Sequence, residues 1–134
     1  MTSQTKAGAV VYAVDLARVS EFYAGVVDLT VSQREADHIV LESSVFQLVV
    51  LSIPQAIAAS IEIATPPVRR TENPIKLVFF VPSIVASRAA AAQLGGALNP
   101  PEREWHFQRC KVCDGHDPEG NVLQLRETTR TIAK

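Results

Sequence analysis

The hydrophobic pattern of this chain passes through one series of elements and then through a second, similar series. Gly8 to Val14 is small and β-branched throughout, which predicts a strand. Asp15 is placed to cap a helix. Leu16, Val19, Phe22, Tyr23, Val26 and Val27 recur at helical spacing and make one apolar stripe on it. Three strands with short turns are predicted over 30–35, 37–42 and 44–51, and Pro54 ends the run. Residues 56–63 read as a short helix or a loose strand. The segment 65–74 holds Pro66, Pro67 and Pro74 among Arg69, Arg70 and Glu72, so it reads as a linker.

After the linker the pattern restarts. Residues 75–81 are a nearly continuous apolar strand. Ser83 can cap a helix that runs to Leu94 and stops at Gly95-Gly96. Strands are predicted over 97–102, 106–113 and 121–127. Each half is therefore a βαβββ unit, residues 1–64 and 75–134 about the linker. One helix cannot cover such a strand set on both faces. Pairing the halves predicts an α+β domain with one curved mixed sheet around a cleft and the helices outside.

Composition narrows what the cleft could serve. The chain has 134 residues, 47% hydrophobic and 20% charged, with a formal net charge of −1. That leaves no basic footprint for nucleic acid or an anionic membrane. No apolar run approaches the length of a spanning helix. Two cysteines and no leader-like pattern at the N-terminus predict a reducing cytoplasm.

Asp117-Pro118-Glu119-Gly120-Asn121 is a tight turn that leads directly into an alternating strand. There Leu123 and Leu125 share one face, and Gln124 and Arg126 the other. Together with Val14-Asp15-Leu16 leading to Phe22-Tyr23, and with Leu94-Gly95-Gly96, this turn resembles the vicinal oxygen chelate superfamily. That superfamily includes glyoxalase I, bleomycin-resistance proteins and extradiol dioxygenases. The resemblance implies paired βαβββ modules, a homodimer, and a divalent metal held in the cleft by one residue from the first and last strand of each module. The positions it implies here are Gly8, Gln47, Lys76 and Gln124. A glycine, two amides and a lysine are a poor donor set, so no metal and no other cofactor is expected. Cys110, Cys113 and His116 have a metal-like spacing, but residues three apart on a strand point to opposite faces.

The cleft is therefore expected to bind a small organic molecule. Strand alternation puts Tyr12, Gln47, Val49, Lys76, Phe80, Gln124 and Arg126 on its walls, with Trp105 at its mouth as a stacking surface or a cap on the core. Lys76 stands in an otherwise apolar strand, so it must reach water, a carboxylate or an anionic ligand. No residue is assigned a catalytic role. The alternative implied by the resemblance is a lyase or isomerase like glyoxalase I.

Overall fold

A computed structural model describes residues 5–129 of the chain. The first half is β1 (Ala7–Ala13), α1 (Leu16–Val26), β2 (Thr30–Arg34), β3 (His38–Glu42) and β4 (Phe46–Ser52). A single turn of helix, α2 (Gln55–Ala58), opens the segment that joins the halves. The second half is β5 (Leu77–Phe80), α3 (Ile84–Gln93), β6 (Ala97–Leu98), β7 (Trp105–Phe107), β8 (Cys110–His116) and β9 (Val122–Thr128). Both expected caps are present. Asp15 accepts from the Arg18 amide and Ser83 from the Ala86 amide.

The halves share one topology. In each, the first strand pairs in parallel with the last, and the last pairs antiparallel with its predecessor. The orders are β1-β4-β3-β2 and β5-β9-β8-β6, with β7 also on β8. The mixed α+β architecture is the one expected, and its strands form two hydrogen-bonded sheets, one of four strands and one of five. Leu41, Leu48, Val50, Leu123 and Leu125 point from the sheets to the helices and are buried with Val19, Phe22, Tyr23 and Ile84. Phe22, Tyr23, Phe79 and Phe46 form a chain of ring contacts, with centroids 5.2, 6.0 and 5.5 Å apart, that joins the halves into one core. The helices meet directly, and the Ser87 hydroxyl donates to the Val26 carbonyl at 2.8 Å.

One expected strand is two. The sequence pattern predicts one continuous strand over 106–113, but β7 and β8 form a hairpin turning at Gln108 and Arg109, with φ of 50° and 64°. Two-residue hairpin loops that need positive φ usually announce themselves with Asn or Gly. Neither residue is present here. The reading of 97–102 as a strand is also too long, because Pro100 and Pro101 end β6 after Leu98 and start a 3₁₀ turn. Among the described residues no helix is long and apolar enough to cross a membrane.

Candidate functional site

The face of the sheets turned away from the helices carries the candidate residues. On β1 the side chains of Val10 and Tyr12 are exposed, Tyr12 by 61%. Gln47 stands opposite Gly8 and Val49 opposite Val10 on β4. On β5, Val78 and Phe80 are exposed, Phe80 by 63%, and they register with Gln124 and Arg126 on β9. The face assignment from alternation is correct, since Leu123 and Leu125 are fully buried on the other side.

The polar side chains of the second sheet are linked. Lys76, just before β5, donates to Asp114 Oδ2 at 3.0 Å. Asp114 Oδ1 accepts from the Gln124 amide at 3.0 Å, and Gln124 Oε1 accepts from Arg126 Nε at 2.9 Å. The Arg126 guanidinium lies 5.8 Å from the Phe80 ring centroid and 5.1 Å from that of Phe107. Of the three destinations open to Lys76, it takes the carboxylate. Asp114 and Phe107 are not among the sequence-based candidates because the predicted strand ends at Cys113 and the hairpin lacks its usual turn residues. Alternation carried to His116 would have placed Asp114 beside Gln124.

The turn at 117–121 is structural. Asp117 is fully buried, and its carboxylate accepts from the Tyr23 hydroxyl, the Asn121 side-chain amide and the backbone amides of Glu119 and Asn121. Glu119, 4% exposed, accepts from the Val14 and Asp15 amides at 2.9 and 2.7 Å, at the positive end of α1. The linker is fastened to this turn. The Arg70 amide donates to the Gly120 carbonyl, Arg70 Nε to the Glu119 carbonyl, and Arg69 Nε to His116 Nδ1 at 2.6 Å.

His116 is therefore an acceptor at Nδ1. Burial lowers its pKa from the ordinary imidazole value, the Arg69 charge lowers it further, and Asp117 acts in the opposite sense. A neutral imidazole in the fold and a more basic one in the unfolded chain mean stability that is full above about pH 6.5 and is lost as the pH falls below it. An NMR titration of the folded protein is expected to give His116 a midpoint below about 6.5, and a midpoint at or above it would contradict the bond from Arg69.

Besides a cavity of about 670 Å³ lined mainly by its own residues with Ile61, Ile63 and Glu119, the linker borders two others. One, of about 570 Å³, lies between the edge strands β1 and β5 and is lined by Val10, Tyr12, Ile53, Ile61, Ile75, Leu77 and Val122, with Arg70 and Asn73 among the polar members. The other, about 250 Å³, includes Lys76 and Asp114 in its wall. Tyr12 and Lys76 thus line neighbouring cavities. Phe80 lines a separate one with Val27 and Phe46. Gln47 and Val49 share a face with Val10 but lie outside the lining of the larger cavity, and Trp105 stands on β7.

A family model described as a glyoxalase-like domain matches residues 8–126. The chain belongs to the glyoxalase-like family. It is thus a member of the vicinal oxygen chelate superfamily, and solved structures agree at the level of the fold. A glyoxalase/bleomycin resistance protein from Albidiferax ferrireducens is 18% identical with a TM-score of 0.63, over 93% of this chain and 98% of that one. The bleomycin resistance determinant encoded on transposon Tn5 is 12% identical with a TM-score of 0.59, over 95% and 98%. An antibiotic binding protein from Streptomyces sp. CB03234 is 18% identical with a TM-score of 0.59, over 96% and 98%. No curated protein matches the sequence.

The metal positions implied by this family do not suit a divalent cation here. Gly8 has no donor, and a side chain there would meet the Gln47 carbonyl at 2.8 Å. Gln47 is an exposed amide on β4. Gln124 Oε1, the only oxygen donor its side chain has, already accepts from the Arg126 guanidinium, and Lys76 shares Asp114 with that amide. Two cations therefore flank the position a third would take. Cys110 and Cys113 fall on opposite faces of β8, where Cys113 joins the core and burial pushes its thiol pKa up. Among the described residues no three His, Cys, Asp or Glu side chains converge.

Proposed function

We propose that this glyoxalase-like protein is a homodimer that binds a small organic molecule in the cleft between β1 and β5, without the divalent metal used by metalloenzymes of the superfamily. The observation that carries this is an apolar cavity of about 570 Å³ whose wall includes the exposed side chains of Val10, Tyr12 and Ile75. Exposed apolar side chains gathered in a concavity are the usual mark of a ligand or partner surface. The antibiotic binding protein from Streptomyces sp. CB03234 has the same fold, which supports binding as a use for it. A lyase or isomerase acting through a metal-bound oxygen would need anionic or imidazole donors at positions 8, 47, 76 and 124. The chain has Gly8, Gln47, Lys76 and Gln124 there.

Protein-detected NMR with a panel of neutral and charged aromatic fragments tests the binding. Shifts are expected in the amides of 8–12, 77–80 and 122–126. No shift from any fragment, or shifts confined to α1 and α3, would refute it. Elemental analysis of the same protein is expected to give well under one divalent metal per chain. About one per chain, removed by chelation together with fragment binding, would overturn the metal-free reading. Light scattering is expected to give twice 14.6 kDa.

A further inference from the structure

Two of the cavities beside the linker adjoin each other. Arg70, Asn73, Ile75 and Val122 stand in the walls of both. Their chemistry differs. The larger compartment presents Val10, Ile61 and Leu77 beside the shared Ile75 and Val122. The smaller one has Arg69, Arg70, Lys76 and Arg103 around it and a single carboxylate, Asp114.

That carboxylate is already engaged by the Lys76 ammonium and the Gln124 amide. Arg69 and Arg70 each donate through Nε to an uncharged acceptor, the His116 ring and the Glu119 carbonyl. Their Nη hydrogens have no protein acceptor among the described residues, and neither does the Arg103 guanidinium. Glu119 lies beside Arg70 but gives its carboxylate to the Val14 and Asp15 amides. Glu62 and Glu72 line an adjoining cavity with these arginines and form no ion pair with them among the described residues. Three guanidinium groups therefore border one small compartment with their charge unmatched. Tethering at Nε fixes the forks of Arg69 and Arg70 at low entropic cost to a ligand.

We propose that the ligand is an amphiphilic carboxylate whose head is held by Arg69, Arg70 and Arg103 and whose apolar body lies between β1 and β5. The assignment rests on the binding function proposed above and adds the charge and polarity of what is bound. A planar carboxylate matches the guanidinium fork with two parallel hydrogen bonds. A cationic head in the same place would meet four like charges around one already paired acid. A purely apolar ligand would fill the larger compartment and leave the arginines in water.

Naphthylacetate, naphthylacetamide and naphthylethylamine share one aromatic body and differ in head charge. Calorimetry on the full chain at neutral pH is expected to rank them in that order, with the amide weaker than the carboxylate by about tenfold or more. Arg103→Gln, at an exposed position with no side-chain partner among the described residues, is expected to close part of that gap. Arg70→Gln is expected to close more of it, with the melting temperature measured alongside because Arg70 also holds the Glu119 carbonyl. Equal affinities for carboxylate and amide, or tightest binding of the amine, would overturn the carboxylate assignment while leaving the cleft as a binding site. Failure of all three probes to bind at millimolar concentration would remove the binding function itself, and the assignment with it.

Discussion

Replacing Asp117 with alanine is expected to lower the stability of the folded protein by about 3–5 kcal/mol, among the larger effects a single substitution produces. The carboxylate is completely buried and accepts four hydrogen bonds, from the Tyr23 hydroxyl, the Glu119 amide, the Asn121 amide and the Asn121 side chain. Alanine removes every acceptor at once and leaves buried donors unpaired, each costing about 1–3 kcal/mol before relaxation. Urea unfolding measures the loss, and a change below about 1 kcal/mol would show that these donors find other partners. The same contact sets an alkaline limit. Burial raises the Tyr23 pKa, and the neighbouring Asp117 charge and the hydrogen bond to it raise it further. The stability carried by the neutral phenol is therefore complete below about pH 10 and is lost as the pH rises beyond it. In Tyr23→Phe that part of the alkaline slope is expected to vanish.

Gly120→Ala is expected to cost about 2–4 kcal/mol and to weaken ligand binding as well. Gly120 has φ of 87°, which penalises any side chain, and a Cβ there would collide with the Val68 carbonyl oxygen. The conflict is with backbone, so rotating a side chain cannot relieve it. The linker has to move, and it carries Arg69 and Arg70, which border the smaller cavity. Chemical denaturation and fragment titration on the variant read the two effects separately. A variant within about 0.5 kcal/mol of the parent would mean that the linker is not held against the turn.

Much of the fold was legible because its signals are local. Asp15 and Ser83 announce their helices by capping, and Leu123 and Leu125 announce the buried face of β9 by alternation. What escaped depends on partners distant in sequence. The turn at 117–121 is recognisable as a turn, yet nothing nearby says that Glu119 reaches the amides of 14 and 15 or that Asp117 meets Tyr23. Gln108 and Arg109 form a hairpin loop without the usual residues, and missing it hid Phe107 and shifted the end of β8. Lys76 stood out as a charge in an apolar strand. Its partner Asp114 could be found only with β8 drawn to its full length.

The bonds from Val14 and Asp15 to Glu119 also bear on how the molecule comes into being. A ribosome delivers residue 119 only after more than 100 further residues have followed residues 14 and 15. While the chain is being made, β1 and α1 can find their neighbours within the first half. The two amides that lead into α1 cannot meet the Glu119 carboxylate until that later turn emerges. The chain repeats one structural plan twice, but the first copy is completed by a residue that belongs to the second. The two halves share a topology, and the first one's helix entry is held by a carboxylate of the second.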